Sequence, residues 1–140
     1  MLGLAISIAA SSFEKVNDKG GQPYILHCLR VWEKVKHCSI DVQCAAILHD
    51  IVEDTPYTVE EIRALFNPRV AHLVDVLTHK STQSYETYID LVSMNRDTIL
   101  IKMADLEDNS NITRLKGVRQ KDFDRIAKYH KSYDLLRNCL

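Results

Sequence analysis

The chain carries no excess of charge of either sign: 18 lysines and arginines stand against 19 aspartates and glutamates, a formal net charge of −1. That balance excludes a nucleic-acid coat and a polybasic membrane anchor, so any phosphate binding has to be local. There is no CxxC pair among Cys28, Cys38, Cys44 and Cys139. Three of the four fall in apolar helical patterns, where cysteine serves as a small hydrophobe, and reduced thiols in a cytoplasmic setting are expected. The apolar opening MLGLAISIAA has no basic leader region and falls far short of the ~20 residues that span a bilayer. It reads as a first core helix, and no membrane partner is expected. Strand-type alternation, internal repeats, low-complexity tracts and long linkers are absent as well. What remains is a single all-α domain over 1–140, long enough to bury a core without disulfides or structural zinc.

Apolar residues recur at helical spacing along the chain. Helix one is predicted over 2–16, and the glycine-containing connector NDKGGQ hands over to Pro23 at the start of PYILHCLRVWEKVKH. Ser39 caps IDVQCAAILHDIVED, read as one helix over 40–54 that Thr55-Pro56 ends. TVEE from Thr58 is a capping box, and Asn67-Pro68 opens PRVAHLVDVLTH. After the polar break HKSTQS come YETYIDLVSM, then DTILIKMADLEDN with Asp97 as its cap, and a last amphipathic helix over 121–138.

Polar groups intrude on this apolar pattern at three places. In AILHDIVEDT, helical spacing stacks His49 over Glu53 and Asp50 over Asp54, so four polar groups share one patch. Asp50 and Asp54 repel at that distance, and burying them requires protonation or a cation. IKMADLEDN repeats the pattern with Asp105 and Asn109, and His27 sits among Ile25, Leu26 and Leu29. Singly, each has a plain structural explanation: a satisfied core histidine, a capping aspartate, a helix end exposing its acids. Together, two imidazoles and two carboxylates make a sound ligand set for a divalent transition ion.

The order H…HD…D resembles the HD-domain metal phosphohydrolases, an all-helical superfamily. The stretches PYILH, CAAILHDIVEDT, VEEIRALFNPRVAHLVDVLT, SYETYI and IKMADLEDN, within residues 5 to about 115, are similar to the alarmone-hydrolase half of the Rel/Spo enzymes and to the small alarmone hydrolases. The resemblance implies a compact multi-helix HD-domain fold, with His27, His49, Asp50 and Asp105 as ligands of one divalent ion, usually manganese. It also implies removal of the 3′-pyrophosphate from guanosine tetra- or pentaphosphate. Glu53 and Asp54 match the ED of the family's HDxxED motif. A divalent ion brings the pKa of its water from about 15.7 toward ~7–9, and this pair would orient or deprotonate the attacking water and manage the proton of the departing oxygen. Glu53 is expected to handle the water. Asn109 and Tyr24 match family positions beside the nucleotide, and Lys102 and Lys80 are candidate phosphate contacts.

In one stretch the chain departs from the family. Where AHxGQ is followed by basic, base-contacting residues, this sequence has SSFEKVNDKGGQ: Phe13 replaces a common histidine, and Val16 and Asn17 fall near the basic positions, leaving Lys15 and Lys19. Two other functions therefore stand beside alarmone hydrolysis: a phosphatase of ordinary nucleotides or deoxynucleotides, and a non-catalytic, metal-stabilised binding protein that restrains an alarmone-type toxin. Each assumes a small-molecule nucleotide or a protein partner, with no nucleic acid. Homo-oligomerisation through Phe123, Ile126, Tyr129 and Tyr133 is open, since these side chains can equally pack internally.

Overall fold

Short polar side chains start the helices where the sequence marks them. In the computed structural model, which describes residues 1–140, Ser39 accepts a hydrogen bond from the Val42 N–H. Thr58 and Glu61 form the reciprocal capping box, and Asn67 caps the helix that opens on Pro68. The chain runs through α1 (Leu2–Ser12), α2 (Ile25–Val35), α3 (Ile40–Ile47), α4 (Ile51–Asp54), α5 (Val59–Leu65), α6 (Pro68–Leu77), α7 (Tyr85–Val92) and α8 (Arg96–Asn109). A 3₁₀ turn (Ile112–Arg114) leads into α9 (Gln120–Asn138). The only β pairing is an isolated bridge between Asn17 and Pro23, so the all-α expectation holds. No helix is long and apolar enough to cross a membrane.

Several boundaries differ from the sequence reading: α2 starts at Ile25 and not at Pro23, which pairs with Asn17 in the isolated bridge, and three further differences matter more. Helix one ends at Ser12, short of residue 16, because Phe13 turns inward, buried against the Tyr24 ring at 4.8 Å between centroids. The cap of α8 is Asn95, whose side chain accepts from the Asp97 N–H; Asp97 itself pairs with Arg69. The expected helix over 40–54 is broken at Leu48-His49-Asp50. Leu48 (φ −96, ψ 5) and Asp50 (φ −101, ψ 1) sit in the bridge region, and Ile51 N–H closes a three-residue turn onto Leu48 O at 2.9 Å.

Two apolar clusters hold the helices together. The larger joins α1, α2, α3 and α6 through residues such as Ile8, Val31, Ile47 and Leu73; the smaller, including Tyr88, Val92, Leu106 and Leu136, lies between α7, α8 and α9. Helix α8 serves both, with Ile101 and Ala104 in the first and Ile99 and Leu106 in the second. A helix covered on two sides carries its polar residues inside, which is how Asp105 comes to be buried. On α9, Tyr129 and Tyr133 pack against the smaller cluster while Phe123 is exposed.

The connector between α1 and α2 is wound around Asp18, whose Oδ1 accepts from Gly20 N–H (2.9 Å) and Gln22 N–H (3.0 Å). Gly21 takes φ 82, and a Cβ on Gly20 would lie 2.3 Å from the Arg114 carbonyl oxygen. Because the obstacle is backbone, Gly20→Ala is expected to cost about 1–3 kcal/mol and lower Tm by roughly 3–10 °C, measurable by circular dichroism melting.

Candidate metal centre

Adjacent residues of a continuous helix point about 100° apart around its axis. The break at 48–50 removes that constraint, and both His49 and Asp50 turn toward one point. His27, from the first turn of α2, and Asp105, from the buried stretch of α8, reach the same point. One ligand atom from each of the four residues lies within 4.8 Å of the others. Asp50 and Asp54 keep their helical interval, with Asp54 N–H bonded to Asp50 O at 3.0 Å, whereas the single helix expected to carry His49 as well is interrupted at the turn.

The geometry sorts the ring nitrogens. His49 Nδ1 lies 2.7 Å from Ala46 O, an acceptor only, so Nδ1 carries the proton. His27 Nδ1 lies 2.6 Å from Asp108 Oδ2 and donates likewise. Both Nε2 atoms then face each other at 3.3 Å, with Asp105 Oδ1 at 3.0 Å from His27 and 3.3 Å from His49. Asp50 Oδ2 stands 2.9 Å from His49 Nε2 and 3.7 Å from His27 Nε2. Four lone pairs converge with no donor among them, an arrangement that calls for a cation.

The electrostatics make the same demand. Burial alone would push the His49 imidazole down, yet the Asp50 and Asp105 carboxylates outweigh it and hold the group well above its ordinary value; His27 is raised in the same way by Asp105 and Asp108. The site favours positive charge at its centre. The donor set of two imidazoles and two carboxylates fits a divalent transition ion, and these four residues could hold one.

Both carboxylates also accept from neighbours, Asp50 Oδ2 and Asp105 Oδ1 on the same oxygens that face the histidines, Asp105 Oδ2 on the far one. Tyr24 OH donates to Asp50 Oδ2, Lys102 Nζ to Asp105 Oδ2 at 2.8 Å, and Asn109 Nδ2 to Asp105 Oδ1 at 3.0 Å. Lys102 also lies 5.2 Å over the Tyr88 ring. Glu53 is exposed at the cage's rim and accepts from His79 N–H at 2.8 Å. Asp54 is pushed up to about 6 by partial burial and by the Asp50 and Glu53 charges.

Two clefts open on the cage. The smaller, about 310 Å³, is bounded by Asp50, Glu53, His79, Lys102 and Lys128; the larger, about 490 Å³, has Phe13, Val16, Ile112, Leu115 and Ile126 as its apolar wall and Arg125 at its edge. Tyr24, Asp54, Asn109 and Tyr129 border both. Of the sequence-predicted residues, Lys80 alone stands apart: its ammonium donates to Asp75 O (2.8 Å) and lies 3.2 Å from Asp75 Oδ1, outside both clefts.

Sequence reading missed Asp108, Arg30, Arg114 and Asp18. Asp108 accepts from His27, from Arg30 Nε at 2.7 Å and from Arg114 Nη1 at 2.7 Å; burial would raise it, but His27 and Arg30 bring it down to about 2. The signal was present in the spacing, since Arg30 follows His27 and Asp108 follows Asp105 by three, the helical interval that shares a face.

The HD domain family matches residues 5–99. The guanosine-3′,5′-bis(diphosphate) 3′-pyrophosphohydrolase of Aquifex aeolicus is 38% identical over 135 residues, covering 89% of this chain and 19% of the relative. The enzyme of the same name from Haemophilus influenzae is 32% identical over 134 residues, covering 86% of this chain and 20% of the relative. The chain thus spans about a fifth of the length of these curated relatives. A solved structure described as a metazoan ortholog of SpoT that hydrolyzes ppGpp superposes with a TM-score of 0.80 at 27% identity, covering 97% of this chain and 85% of that one.

Proposed function

This chain belongs to the HD-domain family, and from that premise we propose that it is a metal-dependent phosphohydrolase that removes the 3′-pyrophosphate of a guanosine tetra- or pentaphosphate, using one manganese ion. The observation that carries this reading is the convergence of four acceptor atoms from His27, His49, Asp50 and Asp105 at the junction of two clefts. When bound there, a divalent ion supplies Lewis acidity, neutralising phosphate oxygens and acidifying water. The relatives named for ppGpp hydrolysis supply the substrate class.

The chain's own residues divide the remaining work. The smaller cleft, with Glu53 and Lys102, suits the scissile pyrophosphate, and the apolar wall of the larger suits a nucleoside. Glu53 is steadied at Oε1 by the His79 N–H, which leaves its second oxygen to orient and deprotonate water. Asp54 borders both clefts and, at about 6, can carry the proton for the departing oxygen. Asn109 and Tyr24 hold ligand carboxylates and face both clefts, so each links ligand geometry to substrate position. Lys80 would have to leave Asp75 to meet a phosphate.

A second reading, phosphate removal from ordinary nucleotides, draws on the larger cleft, where Val16 and Asn17 stand in place of basic residues and Lys19 is the connector's one lysine on the wall. Incubating the purified protein with Mn²⁺ and guanosine tetraphosphate is expected to release pyrophosphate and guanosine diphosphate, with chelator abolishing it. Intact tetraphosphates of guanosine and adenosine, alongside phosphate released from 5′-nucleotides, would move the assignment to the second reading.

A further inference from the structure

Asp108 is a buried carboxylate, 5% exposed, on the side of the His27 ring away from the cage. Burying a charged network is not a cheap way to fill space, since apolar residues of similar volume are often as stabilising. The arrangement around Asp108 is nevertheless complete: His27 Nδ1, Arg30 Nε and Arg114 Nη1 all donate to its carboxylate, and Arg114 Nη1 also donates to its carbonyl oxygen at 2.7 Å. The second nitrogen of the Arg114 fork, Nη2, reaches Asp18 Oδ2 at 2.7 Å. Two guanidinium groups balance two carboxylates, so Asp108 supplies His27 with direction. Asp18 in turn gathers the Gly20 and Gln22 N–H groups, and Gly20 lies directly against Arg114 O.

We propose that Asp108 is a positioning residue for His27, and that Arg114 fastens it to Asp18, so that the ligand cage and the connector bounding the larger cleft are held as one hydrogen-bonded unit. The two histidines differ in this respect. His49 is oriented by a backbone carbonyl, Ala46 O, whereas the orientation of His27 depends on a side chain. Asp18, Gly20 and Arg114 all border the larger cleft, so an occupant that shifts the connector is felt at His27 through one guanidinium group and one carboxylate. This proposal rests on the phosphohydrolase reading only in taking His27 as a metal ligand.

The test is calorimetric titration of chelator-stripped protein with MnCl₂, paired with circular dichroism to establish folding. Outer partners of metal-bound histidines typically contribute 10- to 100-fold in affinity, and Asp108→Ala is expected to weaken Mn²⁺ binding by about that factor. Asp108→Asn, which keeps an acceptor for His27, is expected to recover part of the loss and serves where the alanine variant does not fold. Arg114→Lys, which loses the fork, and Asp18→Asn are each expected to weaken binding several-fold. Their double variant should be no worse than the stronger single one, because both act along one chain of contacts. Mn²⁺ affinity in Asp108→Ala and Asp108→Asn within two-fold of wild type overturns the positioning role, and additive effects of the Arg114 and Asp18 changes overturn the link to the connector. A wild-type protein that binds Mn²⁺ but leaves guanosine tetraphosphate intact fails the activity reading alone; one that binds no Mn²⁺ fails both.

Discussion

Asp105→Ala is expected to lose divalent metal and hydrolysis together, and to lower stability even when no metal is supplied. Two separate interactions are removed. Oδ1 faces both imidazoles, at 3.0 Å from His27 and 3.3 Å from His49, so the cage loses the acceptor common to its two histidines. Oδ2 is the partner of Lys102, whose side chain is 14% exposed and whose ammonium is then left without its carboxylate. Removing one member of a buried pair costs about 3–5 kcal/mol, which for a chain of this size corresponds to a Tm lower by roughly 10 °C or more. Asp50→Ala is the contrasting case: Asp50 is backed by a neutral tyrosine hydroxyl, so that variant should lose the metal while melting closer to wild type in chelator. Adding Lys102→Met to Asp105→Ala is expected to restore much of the stability and none of the metal binding. Metal content by elemental analysis, with melts in Mn²⁺ and in chelator, separates the two effects; stoichiometric Mn²⁺ in Asp105→Ala would contradict the assignment of this ligand.

The elements most legible in the sequence are those that depend on neighbours along the chain. Ser39, the Thr58–Glu61 box and Asn67-Pro68 mark helix starts because a cap is a local hydrogen bond, formed within three residues of itself. The four cage residues were legible for another reason: His27, His49, Asp50 and Asp105 are polar groups in apolar stretches, and such groups need partners. The break at His49-Asp50 was not. Every residue from Ile40 to Ile51 except Asp41, Gln43 and the polar pair suits a buried helix, and what interrupts it is the tertiary requirement that two adjacent side chains meet His27 and Asp105. Of the network of Asp18, Arg30, Asp108 and Arg114, only the three-residue spacing of Arg30 from His27 and of Asp108 from Asp105 was a signal; its members are up to 96 residues apart, and nothing along the chain pairs them. The misplaced cap of α8 shows the same limit at short range, since Asn95 and Asp97 both suit a cap and only the pairing of Asp97 with Arg69 decides between them.

Glu53→Gln and Asp54→Asn are each expected to reduce turnover by about 10²- to 10⁴-fold while leaving metal content unchanged, because neither belongs to the four converging ligands. Asp54→Asn should also change how stability depends on pH. The Asp54 carboxyl is raised from 3.8 to about 6 by burial and by Asp50 and Glu53, so the folded chain favours its protonated form. For such a group the stabilising contribution is fully present below the unfolded value and is lost as pH rises through the folded one. Asparagine does not ionise, so in chelator Asp54→Asn is expected to melt above wild type at pH 8, with the gap closing as pH is lowered through about 6 toward 4. Glu53→Gln is expected to act on the attack step, through the water that Glu53 would orient. A variant that gains stability while losing turnover would place Asp54 at the reacting centre and exclude misfolding as the cause; a loss of Mn²⁺ from either variant would instead make that residue part of the cage.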